Sequence, residues 1–332
     1  MDNEEKRLVV YTYQLLEEIT DGFSEERKIG SGSYGVVYKG VTETGEEIAV
    51  KMLHTVRLEL DDTQFQNELR NLKKLEHNNI VQLVGYCYET HHKPIEYNGR
   101  TVFAEKTYRA LCFEYMQNGS LQKYISDECD ILDWPTCYKI IMGICNGLQY
   151  LHELPEPMYH LDLKPDNILL DMDMVPKLAD FGLSKIVGEE QTRIMHSPVG
   201  TIGYLPMEYL LENRVSSKLD IFSLGVIMIK MIAGTAGRTK STEMSHQAFI
   251  NLVQEKWRDR LRPMWYKFDS SLDVYCQQVK KCAEIALRCL KADRRKRPNI
   301  LDITNQLKAM GTELGSINKP ANQFLPPTTD WG

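Results

Sequence analysis

The first third of the chain carries the apolar pattern that is typical of strands. Residues 47–53 alternate between two faces, with Ile48 and Val50 on one of them, and this alternation predicts a short strand. Polar residues from 91 to 106 predict a long loop or an extended hairpin. We therefore expect residues 29–113 to form a small, strand-rich half of the molecule.

One helix interrupts this half. Its apolar stripe is spaced at helical intervals and consists of Phe65, Leu69 and Leu72. Asp61 or Asp62 can cap the start of the helix, because short polar side chains accept from free backbone N–H groups. Glu68 follows Phe65 by three residues, so we expect it on the same inward face.

Helical periodicity takes over after Gly119. Trp134–Pro135 places a proline where a helix can begin. The buried stripe of that helix is formed by Ile141, Ile144, Leu148 and Leu151. Residues 221–233 are apolar on nearly all sides but shorter than the ~20 residues of a membrane span, which predicts a buried central helix. Two further amphipathic helices are expected at 276–290 and 299–310.

Composition and charge narrow the class of protein. The chain of 332 residues is 42% hydrophobic, which is enough for a sizeable core, and its net charge of −6 argues against a nucleic-acid binder. The eight cysteines lack close pairs, so we interpret them as reduced thiols and not as a disulfide framework or a metal site. An acidic start without an apolar stretch or a glycine at position 2 predicts a cytoplasmic chain without direct membrane insertion.

A glycine motif runs from Gly30 to Val37. Glycines at its first, third and sixth positions, Gly30, Gly32 and Gly35, allow the backbone to approach phosphate groups closely. Alone, this motif also fits a flexible turn or a dinucleotide-binding fold. The second of these expects a helix after the glycines, whereas the β-branched and aromatic run from Val36 to Tyr38 favours a strand. A hairpin over phosphates is the better prediction.

Three further motifs supply charged side chains. Lys51 ends an Ile-Ala-Val-Lys run on the predicted strand, and Glu68 on the following helix can hold its ammonium group. The other two motifs are His160–Asn167 and Asp180–Gly182. Asp180 and Asn167 offer the oxygen ligands that Mg²⁺ prefers. Asp162 can accept a hydroxyl proton and Lys164 can stabilise a phosphoryl group during its transfer.

In this order and spacing, the four motifs resemble the eukaryotic protein kinase family over about residues 23–310. The resemblance implies an α+β, bilobal fold, with a smaller lobe at about 23–113 and a larger lobe at about 117–310. Residues 1–22 are expected to be a lead-in, and 311–332 a loose tail. The resemblance also implies transfer of the γ-phosphoryl group of ATP, with Mg²⁺ or alternatively Mn²⁺ as cofactor, to Ser or Thr hydroxyls of proteins. The alternatives are a pseudokinase scaffold and a small-molecule phosphotransferase.

The same resemblance implies the residues of the site. The ATP-binding residues would be Ile29, Gly30, Ser31, Gly32, Ser33, Tyr34, Gly35, Val37, Ala49, Lys51, Phe113, Glu114, Met116 and Leu169. The catalytic residues would be Asp162, Lys164, Lys51 and Glu68, and the metal ligands Asn167 and Asp180. Structural or regulatory roles would fall to His160, Phe181, Gly182, Thr201, Glu208, Asp220 and Arg297.

Several stretches point to a subfamily. Lys164, two residues after the catalytic Asp162, resembles serine/threonine kinases. The stretches 23–30, 84–87 and 114–121 resemble plant receptor-like kinases, whose animal relatives are the interleukin-receptor-associated and Pelle kinases. The run Tyr-His-Leu-Asp that ends at Asp162 is similar to a group of grass receptor-like kinases. This implies receptor-linked, defence-type signalling, a membrane receptor or co-receptor as partner, and a cytoplasmic location, peripheral to the plasma membrane through that partner.

The chain departs from the family at two positions. Leu161 stands where most kinases have an arginine that binds a phosphorylated residue of the activation segment. We therefore expect phosphorylation of the activation segment to have little effect on enzyme activity. The regulatory candidates in the segment from Asp180 to Glu208 are Ser184, Thr192, Ser197 and Thr201. Met207 replaces the usual proline, which predicts either a less rigid substrate-binding segment or a methionine that fills the same space.

Overall fold

The computed structural model describes residues 8–32, 34–54, 58–97, 100–125, 132–186, 193–194, 198–262 and 269–317. The structural statements below refer to these residues.

A mixed six-stranded sheet forms the smaller lobe, in the order β1-β5-β6-β4-β3-β2. Its strands are β1 (Val9–Val10), β2 (Lys28–Gly32), β3 (Gly35–Val41), β4 (Glu47–Leu53), β5 (Leu83–Tyr97) and β6 (Arg100–Glu114). Neighbouring strands are antiparallel, apart from the short β1, which runs parallel to β5. The strand predicted at 47–53 is confirmed as β4 with the same bounds.

The alternation along β4 directs its residues into two different apolar layers. Ile48 and Val50 pack with Leu16 and Ile19 of helix α1 (Tyr13–Ile19). Ala49 belongs to the core cluster on the other face, together with residues of helix α2 (Leu58–Lys73). The sheet is therefore covered on both faces, and Lys51, which shares a face with Ala49, points toward α2.

Helix α2 has the predicted stripe but not the predicted start. Phe65 and Leu72 are buried and Leu69 is half-buried, as the spacing indicates. The prediction that Asp61 or Asp62 caps the helix is wrong, because the helix already begins at Leu58. The Asp62 carboxylate instead accepts a hydrogen bond from the Arg109 side chain at 2.6 Å.

Strands β5 and β6 form a hairpin that extends beyond the sheet. Of the two alternatives predicted at 91–106, a long loop or a hairpin extension, the hairpin is confirmed. Beyond Tyr86 and Ala110, the two strands pair only with each other among the described strands. Phe103, in this extension, is 72% exposed. The outer part of the extension adds surface, whereas Cys87 at its base belongs to the core cluster of Ile48 and Val50.

The larger lobe is mainly helical. Its helices are α3 (Trp134–His152), α4 (Met207–Glu212), α5 (Lys218–Ala233), α6 (Gly237–Glu243), α7 (His246–Leu261), α8 (Asp269–Cys289) and α9 (Ile300–Ile317). Its short strands are β7 (Gly119–Ser120), β8 (Met158–Tyr159), β9 (Ile168–Leu170), β10 (Pro176–Leu178), β11 (Lys185–Ile186), β12 (Arg193–Ile194) and β13 (Arg214–Val215). Helix α3 begins at Trp134 as predicted, with the Asp133 carboxylate accepting from Thr136 N at 2.9 Å. Helix α9 continues to Ile317, so the loose tail does not begin at Gly311 as predicted.

Helix α5 lies at the centre of the lobe, and nearly all of its residues are buried, as its apolar composition predicts. One apolar cluster extends from Phe65 in the smaller lobe to Leu307 in the larger one. Among the described helices, no single one is long and apolar enough to cross a membrane; α5 and α6 meet that test only together, across a bend of 102°. The predicted α+β, two-lobed architecture is confirmed.

Candidate active site

The glycine motif forms the turn between β2 and β3, and not the start of a helix. Gly30 pairs with Val37, and Gly32 with Gly35. Gly35 must be a glycine, because a Cβ there would lie 2.2 Å from the main-chain oxygen of Met52 in β4. Ser33 lies outside the described residues. The strand–turn–strand geometry favours the phosphate-covering hairpin over the dinucleotide-binding alternative.

Lys51 joins three elements through one ammonium group. Its Nζ lies 2.9 and 3.1 Å from the two carboxylate oxygens of Glu68 on α2, and 2.9 Å from Oδ1 of Asp180. Burial alone would lower the pKa of Lys51, but the two carboxylates outweigh it and raise the pKa above its usual value. For Asp180, burial alone would raise the pKa, but the positive charge of Lys51 holds the pKa of that carboxyl below its usual value. Both groups therefore remain charged at neutral pH.

The loop before β9 gathers polar side chains around Asp162. The Thr201 hydroxyl donates to Asp162 Oδ1 at 2.7 Å, and Lys164 Nζ lies 3.0 Å from Oδ2. The Asn167 amide donates to the main-chain oxygen of Asp162 at 2.8 Å and to Oδ2 at 3.1 Å. Lys164 also donates to the Thr201 hydroxyl at 2.8 Å. Asp162 is only 7% exposed, so its orientation is fixed by these donors.

Asp220, at the start of α5, fixes the backbone of this loop through hydrogen bonds to its main-chain N–H groups. Its carboxylate accepts from the main-chain N–H groups of His160 at 2.9 Å and Leu161 at 3.0 Å, and from His152 at 2.8 Å. Burial would raise the pKa of Asp220, but the hydrogen bond and charge of His152 hold it below its usual value. Leu161 has a left-handed backbone with φ of 65°, which is unfavourable for a leucine, and the anchored N–H groups fix it there.

The Asp180–Phe181–Gly182 motif packs against the same loop. Phe181 is fully buried, and its ring lies 5.1 Å from the His160 ring. His160 Nε2 donates to the main-chain oxygen of Ala179 at 3.0 Å. Asp180 itself has φ of 65°, which turns its carboxylate toward Lys51 while the next side chain enters the core. Gly182 follows in a short 3₁₀ helix.

Two segments of the predicted ATP-binding residues meet where β4 pairs with β6. The strand register places Ala49 opposite Phe113. The Glu114 carboxylate lies 2.8 Å from Lys177 Nζ and accepts a hydrogen bond from Gln82 N at 2.8 Å. The Glu114 side chain is therefore already paired with protein groups. The other predicted lining residues stand at the rim or on adjoining strands: Ile29 (47% exposed), Val37 and Leu169 (half-buried) and Met116 (buried).

Leu161 packs where a charged arginine was expected. It is 2% exposed and belongs to an apolar cluster with Tyr159, Leu205, Tyr209, Val215 and Leu219. Tyr209 OH accepts from Val199 N at 3.0 Å, which ties the activation segment to the cluster. Of the four regulatory candidates, Ser184 is buried and Thr201 is bonded to Asp162, while Thr192 and Ser197 lie outside the described residues.

The substrate-side segment ends in a buried ion pair. Arg297 Nη1 lies 2.6 Å from Glu208 Oε1, and the arginine side chain has no exposed surface. Met207, the first residue of α4, is 66% exposed, so it does not fill buried space in place of the usual proline.

The sequence profile of the protein kinase domain matches residues 23–307. A G-type lectin S-receptor-like serine/threonine-protein kinase of Arabidopsis thaliana is 36% identical over 326 residues, covering 94% of this chain and 37% of that protein. Cysteine-rich receptor-like protein kinase 6 of Oryza sativa subsp. japonica is 36% identical over 310 residues, covering 91% of this chain and 42% of that protein. Cysteine-rich receptor-like protein kinase 44 of Arabidopsis thaliana is 34% identical over 324 residues, covering 95% of this chain and 80% of that protein.

The chain belongs to the protein kinase domain family. The predicted family and the similarity to plant receptor-like kinases are confirmed. The chain spans less than half the length of the first two of these relatives.

Three interactions near the site were not predicted. Arg109 on β6 anchors Asp62, which lies on the same helix as Glu68. Lys177 holds the Glu114 side chain, and Lys230 contacts Tyr204. A basic residue inside an otherwise apolar helix was the available signal for Lys230; no local pattern pointed to the other two.

Proposed function

We propose that the chain is an ATP-dependent protein serine/threonine kinase. The observation that carries the proposal is the contact of Lys51 with both Glu68 and Asp180, each at 2.9 Å. This contact holds helix α2 and the Asp180 motif on the same lysine, which is the arrangement that phosphoryl transfer requires. The relative named above as a serine/threonine-protein kinase supports the choice of hydroxyl substrates.

The side chains can share the steps of phosphoryl transfer. Lys51, held by Glu68, donates to the α- and β-phosphoryl oxygens, and the backbone of the glycine hairpin covers them. Asp162 orients the Ser or Thr hydroxyl of the protein substrate and accepts its proton. Lys164 stabilises the negative charge on the transferred group. Because Thr201 bonds to both Asp162 and Lys164, it positions these two groups relative to each other.

Asn167 and Asp180 fit a divalent cation. Both offer oxygen donors, the chemistry that Mg²⁺ prefers, with Mn²⁺ as the alternative. The Asn167 amide NH₂ is engaged by Asp162, which leaves its amide oxygen as the group for a metal, and the Asp180 side chain is 31% exposed. A bound cation would supply positive charge that offsets the negative charge of the phosphoryl groups.

We further propose that phosphorylation of the activation segment has little control over activity. Leu161 can neither donate a hydrogen bond nor carry charge, so it offers nothing to a phosphate group. Its apolar cluster and the Val199–Tyr209 bond support the segment without one.

The similarity to receptor-like kinases supports a role in receptor-linked, defence-type signalling, with a membrane receptor or co-receptor as partner and a cytoplasmic location beside the plasma membrane. The interleukin-receptor and Pelle type, and the grass group, remain our assignments from the sequence. A kinase domain that begins at residue 23, after a lead-in at 1–22, belongs to the same proposal.

The test is transfer from ATP and Mg²⁺ to a generic protein substrate, with Asp162→Asn beside the wild type and analysis of the phosphorylated residue type. Loss of the proton acceptor is expected to lower the rate about 100-fold or more. Asp173→Asn, an exposed aspartate in the turn after β9, is the matched control and should retain the wild-type rate. Wild-type transfer no greater than that of Asp162→Asn would favour the pseudokinase scaffold.

A further inference from the structure

Lys230 is a charged residue in a helix that is otherwise buried and apolar near its end. It lies in the last turn of α5, half-buried, beside the segment that runs from Gly200 to Glu208. Its Nζ donates to the Tyr204 hydroxyl at 2.7 Å and lies 4.7 Å from the centre of the Tyr204 ring. An ammonium group has three donors, so these contacts leave hydrogen-bonding capacity unused.

No carboxylate of the described residues lies within ion-pair distance of Lys230. The lysines around the ATP and catalytic groups differ, because Lys51, Lys164 and Lys177 each pair with a carboxylate. Glu208, the one acidic residue between positions 200 and 208, is already paired with Arg297. A partly desolvated ammonium without a counterion is unfavourable, and an incoming anionic group would relieve that cost.

A short series of hydrogen bonds connects Lys230 with Asp162, the predicted proton acceptor. Tyr204 N donates to Thr201 O at 3.2 Å, and the Thr201 hydroxyl donates to Asp162 at 2.7 Å. Ser223 on α5 donates to Tyr204 O at 2.8 Å, so the tyrosine that carries the lysine contact is fixed at both its main chain and its side chain. The ammonium group of Lys230 is therefore connected to Asp162 through only two residues, Tyr204 and Thr201.

A second basic residue, Arg260, lies beside Lys230. Lys230 and Arg260 both line a small cavity with Tyr124 and Ile125, and none of its described lining residues is acidic. Arg260 donates to Leu132 O at 2.6 Å and lies over the Trp257 ring, which holds its guanidinium at the cavity wall.

We propose that Lys230 is a specificity-determining residue that selects protein substrates with an Asp or Glu side chain close to the acceptor Ser or Thr. The proposal rests on the kinase activity proposed above and names the substrate class that the same site accepts. The acidic side chain pairs with Lys230 when the acceptor hydroxyl lies at Asp162. A hydrogen-bonded charge pair of this kind is expected to favour an acidic over a neutral peptide about tenfold in kcat/KM.

The experiment uses the full chain, ATP and Mg²⁺, with Ser/Thr peptides in which each position around the acceptor is in turn Asp, Ala or Lys. The wild type is expected to prefer Asp over Ala about tenfold at one position. Lys230→Met should remove this preference, and Lys230→Glu should transfer it to Lys at the same position. Lys240→Met, on the exposed side of α6, is the matched control and should keep the preference for Asp.

Equal rates with Asp and Ala at every position in the wild type would overturn the proposal, as would an Asp preference that survives in Lys230→Met. Failure of the kinase function itself is distinguishable, because then no peptide is phosphorylated faster by the wild type than by Asp162→Asn. Raising the salt concentration should reduce the Asp preference of the wild type and leave the rate ratios of Lys230→Met unchanged, since only the former contains the charge pair.

Discussion

Replacing Arg297 by methionine removes a side chain that donates to acceptors on three segments of the larger lobe. Its guanidinium donates to Glu208 and to the main-chain oxygens of Lys218 at 3.1 Å, Lys291 at 2.8 Å and Ala292 at 3.3 Å. Methionine preserves much of the apolar contact with the Phe222 ring, which lies 4.9 Å from the guanidinium carbon. The substitution therefore tests mainly the charge and the hydrogen bonds.

The cost follows from burial. The Arg297 side chain has no exposed surface and the Glu208 side chain is 22% exposed, so the remaining carboxylate is only partly hydrated. Removing one partner of a buried ion pair costs about 3–5 kcal/mol. An unfolding entropy of about 2.1 cal/mol/K per residue gives roughly 0.7 kcal/mol/K for 332 residues. The expected decrease in the midpoint of thermal unfolding is thus about 4–7 °C.

The assay is thermal unfolding of the full chain by calorimetry, without nucleotide, so that binding does not contribute to stability. Arg295→Met is the matched control from the same basic run. Its side chain is 85% exposed, and its pairing with Asp293 lies at the surface, so no measurable shift is expected. A decrease of less than about 2 °C for Arg297→Met would refute the reasoning, because the buried pair would then contribute no more than a surface contact.

Three further outcomes are expected. Thr192→Ala with Ser197→Ala should keep peptide phosphorylation within about tenfold of the wild type, because the leucine in the catalytic loop cannot bind a phosphate; a larger decrease would contradict weak phospho-control. Arg109→Leu should lower kcat about tenfold by releasing the helix that carries Glu68, with partial rescue in Arg109→Lys, whereas unchanged kcat would assign this arginine to stability alone. The depressed pKa of Asp220 means that it stabilises the fold above about pH 3.8 and that this stabilisation is lost as the pH falls through the lower folded pKa. The unfolding midpoint of the wild type should therefore fall more steeply on acidification than that of Asp220→Asn, and parallel curves would argue against this role.

The periodicity of apolar residues predicted those helices and strands whose buried positions recur at regular intervals along the sequence. The strand at 47–53 and the apolar helix ending near Gly234 appear where expected, because alternation or an all-apolar run reflects the faces that each element buries. Helix α7 was not predicted, although Phe249, Val253 and Trp257 follow at helical spacing and are buried. That signal was present in the sequence and could have been found.

Such patterns could not predict side-chain contacts between residues that are far apart in the sequence. Arg109 and Asp62 are separated by 47 residues, and Lys230 and Tyr204 by 26, so only the tertiary fold brings them together. The start of α2 was misplaced because an aspartate that suits a helix cap also suits an arginine partner. Residues such as Lys51 and Asp180 were predicted only through the family motifs, since spacing alone gives no distance between them.

The outer part of the β5–β6 hairpin, beyond His92 and Glu105, gives this chain a segment whose length can change independently of the active site. Beyond His92 and Glu105, the hydrogen bonds of the described residues stay within its own two strands, whereas Tyr88 and Arg109, nearer the sheet, bind Asp62 on α2. Removing two residues from each strand would preserve which side chains face which side, whereas removing one from each would exchange the faces. Lineages could therefore lengthen or shorten this ribbon in steps of two residues per strand, and a foreign sequence could be inserted at its tip, while the strand that carries Lys51 stays in place.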